Sequence, residues 1–123
     1  MSSSIPKQHK AAVIPKAKTP WEIQAKDTPQ PNENQVLIKV TASGICGSDH
    51  FTHQGMMGSP YPLSAGHEVV GNVAAVGKNV DANKFATGAR VGLGWNGGYC
   101  SQCEPCRQGD LCVFEERQNN DPL

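Results

Sequence analysis

The stretch from Gly66 to Val80, GHEVVGNVAAVGKNV, constrains the fold most strongly. It opens with an imidazole beside a carboxylate, His67 and Glu68, and then becomes an apolar, valine-rich run with glycines at both ends. β-Branched residues favour strands, and glycines let a backbone bend or approach another closely. The pattern therefore predicts a strand that leaves a metal site. The alternative is a core strand that carries one histidine by chance.

Composition narrows the class of protein. The 123 residues fit one small domain, and 11 acidic residues balance 11 basic ones, which argues against nucleic acid or an anionic membrane as the main partner. Thirteen glycines and nine prolines favour short strands and turns. We expect residues 1–9 to be a flexible terminus. No secretory signal or membrane-length apolar run is visible, so we expect a cytoplasmic protein.

Short strands are predicted along the chain at Lys10–Ile14, Trp21–Ala25 and Gln35–Ala42, with a further strand after the turn Gly88–Gly92. In the clearest of them, Val36, Ile38 and Val40 should share one apolar face. The segment from Phe51 to Leu63 is expected to be irregular, with a short helical turn. Together these features predict a mainly β fold, a sandwich or a small barrel.

Cys46 lies between two glycines, just past the end of the predicted strand 35–42. We expect it on a loop or at a helix start, where a metal ligand can be held rigidly. Cys46 and His67 suit a catalytic zinc site, which takes three protein ligands and leaves one position open. Alternatively, Cys46 is a small buried apolar residue. Asp49 is expected either to accept a hydrogen bond from His67 or to cap the helix.

A cysteine cluster follows further along the chain. The spacing Cys100-x2-Cys103-x2-Cys106-x5-Cys112 is typical of a closed, tetrahedral structural zinc site. Reduced, unligated thiols are the alternative. An odd total of five cysteines without a signal peptide argues against a disulfide framework. A nucleic-acid-binding zinc ribbon is disfavoured because acidic residues offset the basic ones around the cluster.

Two further features are expected to carry no chemistry. Gly92-Leu93-Gly94-Trp95-Asn96-Gly97 matches G-x-G-x-x-G, but no helix pattern follows it, as a dinucleotide fingerprint would require. His53 is expected to be an ordinary surface histidine, whereas the role of His50 is left open.

These motifs together resemble the zinc-containing alcohol dehydrogenases of the medium-chain dehydrogenase/reductase superfamily. The segment Gly66-His67-Glu68-x2-Gly71-x5-Gly77-x2-Val80 resembles the family signature, and Cys46-Gly47-Ser48-Asp49 resembles its first-ligand segment. Gly88-Ala89-Arg90-Val91-Gly92 is similar to the family's Gly-Asp-Arg-Val turn, with Ala89 in place of the acid. The cysteine cluster is similar to the family's structural-zinc lobe. The resemblance extends roughly from Lys10 to Cys112.

The resemblance implies a GroES-like β-barrel over residues 10–123, with a cysteine-rich zinc lobe at about 95–113. It implies that Cys46 and His67 bind catalytic zinc, with a third ligand from a later segment. It places Glu68 close behind that metal and makes Ser48 the hydroxyl that passes the substrate proton outward. It assigns structural zinc to Cys100, Cys103, Cys106 and Cys112.

By resemblance the activity is NAD(P)-linked interconversion of a small alcohol and its aldehyde. Because no cofactor-binding Rossmann domain follows the lobe, we expect a truncated catalytic domain that is inactive alone. The alternative is a non-catalytic zinc-binding module or pseudoenzyme. The final gap of the cluster is five residues where the family usually has seven, and His50 is one residue nearer Cys46 than the family's relay histidine. The substrate, the choice of NAD or NADP and the oligomeric state are left open.

Overall fold

The computed structural model describes residues 5–95 and 103–109. In chain order the elements are β1 (Gln8–Val13), β2 (Glu22–Asp27), β3 (Val36–Ser43), α1 (Gly47–His53), β4 (Val69–Val76), β5 (Arg90–Leu93) and α2 (Glu104–Arg107). The prediction of a mainly β fold is confirmed. The strand positions are also close to those predicted, although β1 begins at Gln8, inside the segment expected to be a flexible terminus.

The strands form two antiparallel sheets. β1 pairs with β2 in one, and β4 lies between β3 and β5 in the other. The valine-rich strand that follows His67 is therefore the centre of its sheet. Its glycine, Gly71, is buried, and a Cβ added there would overlap the backbone of Lys39 and lie 2.7 Å from Cγ2 of Ile38. A glycine at this position lets β3 and β4 approach each other closely.

The predicted apolar face of β3 is interrupted. The register between β3 and β4 shifts between Leu37 and Ile38 and again between Val40 and Ala42. The first shift leaves Ala74 of β4 without a paired residue and the second leaves Thr41 of β3 without one, so Ile38 to Val40 pair in regular register. Val40, expected on the same face as Val36 and Ile38, nevertheless has 55% of its surface exposed, while Leu37 is half-buried with Val36 and Ile38.

The most deeply buried apolar side chains are those of Val13, Ile14 and Val73. Ile14 also pairs with Leu63 through two backbone hydrogen bonds, of 2.8 and 3.1 Å. This bridge ties the end of β1 to the segment that leads into His67. None of the helices in the described part of the chain is long and apolar enough to cross a membrane.

Candidate metal centre

Cys46 lies at the start of α1, as the sequence predicted. It is the N-cap residue, in an extended conformation with φ of −104° and ψ of 160°, and its side chain is half-buried. Its backbone N–H donates to Oδ2 of Asp49 at 2.9 Å, and the N–H of Asp49 donates back to the carbonyl of Cys46 at 3.1 Å. These reciprocal bonds fix the backbone of Cys46 at the helix end.

His67 and Glu68 lie immediately before β4. Because β3 and β4 are antiparallel, with Ser43 opposite Val69, the end of one strand lies beside the start of the other. The loop that carries Cys46 therefore leaves β3 at the same end of the strand pair at which His67 and Glu68 lead into β4. Strand pairing therefore brings together residues that are far apart in the chain.

One ligand atom each from Cys46, His67 and Glu68 lies within 4.8 Å of the other two. Cys46 and His67 are half-buried, and Glu68 is exposed. A thiolate, an imidazole and a carboxylate are donor types that zinc takes in proteins. The chemistry of this donor set therefore fits a zinc ion with room for a further ligand.

Asp49 is the buried charged residue of this site. Its side chain contacts both sides of the cluster, because Oδ2 accepts from the Cys46 N–H and Oδ1 lies 3.7 Å from Nδ1 of His67. With 8% exposure, the carboxylate is largely withdrawn from water. The distance to His67 is longer than a hydrogen bond but within ion-pair range. The expected role of Asp49 at the helix start is present, whereas the expected hydrogen bond from His67 is not, and a 3.7 Å contact stands in its place.

The surroundings of this donor set also include the aromatic ring of Trp95 and the hydroxyl of Ser48. The indole of Trp95 lies edge-on to the ring of His67, with centroids 4.9 Å apart and the planes at 76°. Trp95 is 62% exposed. The buried Oγ of Ser48, in the first turn of α1, has no hydrogen-bond partner among the described residues.

The histidines of α1 behave differently from each other. His50 is exposed. The prediction that His53 is an ordinary surface residue is wrong, because its ring is half-buried, stacks on Trp21 with planes at 3° and donates from Nε2 to the carbonyl of Thr19 at 2.8 Å. Its backbone carbonyl accepts from the N–H of Lys18 at 2.7 Å. His53 therefore holds the end of α1 against the segment before β2.

The cysteine cluster is described in part. Cys103 is the N-cap of α2 and Cys106 lies within that helix, and both are half-buried. Cys100 and Cys112 lie outside the described residues, so the four-thiolate site stays a prediction. Of the glycine-rich motif, Gly92 lies in β5 rather than at the opening of a helix, and Gly97 is outside the described residues.

Comparison with known proteins identifies the family. The model of the alcohol dehydrogenase GroES-like domain matches residues 32–117, which include every proposed ligand. The chain belongs to the zinc-containing alcohol dehydrogenase family. This match also confirms the GroES-like fold that the motifs implied.

The relatives of this alcohol dehydrogenase-like chain are longer proteins. It is 37% identical to alcohol dehydrogenase patD of Aspergillus clavatus over 120 residues, which cover 98% of the chain and 30% of that protein. It is 41% identical to sorbitol dehydrogenase of Bacillus subtilis over 120 residues, covering 91% of the chain and 32% of the relative. The chain thus spans about a third of the length of these curated relatives.

The structure of this chain superposes on part of each of several solved dehydrogenase structures. Acetophenone reductase from Geotrichum candidum, in complex with NAD, superposes with a TM-score of 0.80 at 31% identity, over 94% of this chain and 34% of that one. A zinc-binding dehydrogenase from Sinorhizobium meliloti, bound to NADP, gives a TM-score of 0.70 at 31% identity, over 85% and 29%.

The two contacts of Asp49 can be separated by Asp49→Asn. Asparagine keeps a carbonyl oxygen that can accept from the Cys46 N–H, so this bond and the fold should survive. The negative charge facing His67 would be lost. Because partners of a ligating histidine typically change metal affinity by 10–100-fold, we expect zinc to bind about tenfold or more weakly, measured by chelator competition.

The matched control for this variant is Asp81→Asn. Asp81 is an exposed aspartate whose Oδ1 accepts from the N–H of Asn83 at 2.9 Å. It should leave zinc affinity unchanged. If Asp49→Asn also left zinc affinity unchanged, Asp49 would be a helix cap only.

Proposed function

We propose that Cys46, His67 and Glu68 hold one zinc ion, and that the chain is the catalytic domain of an NAD(P)-linked alcohol dehydrogenase. The observation that supports this most strongly is the convergence of the three donor atoms within 4.8 Å at one end of the β3–β4 pair. The substrate class is a small alcohol or the corresponding aldehyde, in keeping with the alcohol dehydrogenases to which the chain is similar.

The half-buried pair Cys46 and His67 would form the core of the site, with Glu68 as the more exposed third donor. Asp49 faces Nδ1 of His67, which would leave Nε2 for the metal. When bound, zinc would supply Lewis acidity toward an alcohol or carbonyl oxygen.

Ser48 would pass the proton of the substrate hydroxyl outward. Its Oγ is buried and unpartnered among the described residues, and an unsatisfied buried hydroxyl is costly unless a ligand or water completes it. This supports a role toward a bound molecule. The edge-on contact of exposed Trp95 with His67 supports a contact between its indole and the same molecule.

The second proposed zinc site is structural. Four thiolates from Cys100, Cys103, Cys106 and Cys112 would close a tetrahedral shell around it. We also propose that residues 10–123 form one GroES-like unit, with this lobe at about 95–113.

The cofactor is proposed from the family. The similar structures include one in complex with NAD and one bound to NADP. The described residues contain no strand–helix–strand unit of the dinucleotide-binding type, and the chain spans about a third of its relatives. We infer that the 123 residues do not by themselves position a hydride donor or acceptor.

Counting bound zinc tests the metal assignments. After dialysis against zinc-free buffer, we expect two zinc ions per chain in the wild type and one in His67→Ala. Cys103→Ser should lose the other ion. His9→Ala, which removes an exposed histidine of β1, should keep both and serves as the control.

A contrary result would be a single zinc that is lost in Cys103→Ser but kept in His67→Ala. That pattern would contradict the catalytic centre and favour a non-catalytic zinc-binding module.

Incubation of the zinc-loaded 123-residue chain with a short primary alcohol and NAD+ or NADP+ tests the inference about turnover. We expect no reduced cofactor to form, measured by its absorbance. Zinc-dependent reduction that disappears in His67→Ala would overturn this inference while supporting the metal site.

A further inference from the structure

Gly44 lies between β3 and Cys46, directly against the side chain of Glu68. Its backbone N–H donates to the carbonyl of Glu68 at 2.9 Å. A Cβ added to Gly44 would overlap the Glu68 carboxylate at Oε2, and would lie 3.0 Å from Cβ and 3.2 Å from Cδ of that residue. The Glu68 side chain therefore occupies the space that any side chain at residue 44 would need.

The requirement for glycine here is one of space. The described glycines with left-handed φ are Gly55, Gly58, Gly66, Gly88 and Gly109, and Gly44 is not among them. An alanine could therefore adopt the backbone of residue 44. The severe conflict is with Oε2 at the end of the exposed Glu68 side chain, which can rotate away, whereas the 3.0 Å contact with Cβ of Glu68 requires only a small shift.

We propose that Gly44 is a positioning residue for the metal centre: its missing side chain lets the Glu68 carboxylate lie beside Cys46 and His67. This inference rests on the proposed zinc function and deepens it. Gly44 thereby determines whether the described part of the chain offers zinc three donors or two. A side chain at residue 44 would turn the carboxylate toward solvent and leave the thiolate and the imidazole in place.

The chain offers a matched control in Gly47, which flanks Cys46 on its other side. A Cβ added to Gly47 meets nothing within 4 Å. Gly44→Ala and Gly47→Ala thus make the same chemical change on either side of the thiol, and only the first displaces Glu68. If the two glycines served only to make the backbone around Cys46 flexible, both substitutions should change zinc affinity to a similar extent.

The test measures affinity for the zinc equivalent that His67→Ala loses, by chelator competition. We expect Glu68→Ala, which removes a donor, and Gly44→Ala, which displaces it, each to weaken zinc binding about tenfold or more, since loss of a ligand's partner alone typically costs that much. Gly47→Ala should stay within about twofold of wild type, since it disturbs no contact.

The double variant Gly44→Ala/Glu68→Ala isolates the interaction. If Gly44 acts through the Glu68 carboxylate, the two losses should not add, and the double variant should bind zinc within about threefold of Glu68→Ala alone. Additive losses would overturn the proposal, as would wild-type affinity in Gly44→Ala. If Gly44→Ala fails to fold and Glu68→Ala restores folding, the overlap is supported. If the double variant also fails to fold, the proposal is wrong.

A metal-free crystal structure of Gly44→Ala separates this inference from the proposed function. We expect the Glu68 carboxylate to have moved away from Cys46 and His67. An unmoved carboxylate would overturn the role of Gly44 even if zinc binds. Conversely, if His67→Ala loses no zinc, the proposed function fails, and a displaced carboxylate would then show that Gly44 positions Glu68 without serving a metal centre.

Discussion

The antiparallel pairing of β3 with β4 is the constraint on which the site depends. Ser43 and Val69 are paired at one end of these two strands. The segment that leaves β3 and the segment that leads into β4 therefore lie side by side. Cys46 lies in the first segment and His67 in the second. Hydrogen bonds along the ladder thus bring these two side chains, proposed as ligands, to one end of the strand pair.

Two further interactions fix the positions of the side chains that the strand pairing brings together. Asp49 joins the backbone of Cys46 to the ring of His67 through the two oxygens of one buried carboxylate. Gly44 joins the loop to Glu68 through a backbone bond and leaves space for its side chain. A preorganised set of donors binds a metal at lower entropic cost than flexible side chains would. The segment that follows β3 therefore contributes the space at Gly44, the thiol of Cys46 and the carboxylate of Asp49 to the site.

Local signals made much of this predictable from the sequence. Glycines and valines identified β4, and flanking glycines placed Cys46 on a loop or at a helix start just past a strand, of which the structure has the helix start. The grouping of Cys46 with His67 followed from these local features and from the family's motifs. Their roles as metal ligands stay a proposal, and the closeness of Glu68 to both comes from the structure.

The features that the sequence did not predict depend on residues distant in the chain. His53 is half-buried because Trp21 and Thr19 lie against it, and no local pattern encodes that contact. Val40 is exposed although its spacing from Val36 and Ile38 predicts a shared apolar face, and no pattern within β3 distinguishes it from them. The need for glycine at residue 44 likewise becomes visible only when Glu68 is placed beside it.

Anomalous diffraction at the zinc edge from crystals of the zinc-loaded chain tests the central claim most directly. The account predicts a peak about 2.3 Å from Sγ of Cys46 and about 2.0–2.1 Å from a ring nitrogen of His67. A peak confined to the cysteine cluster, with none between Cys46 and His67, would contradict it.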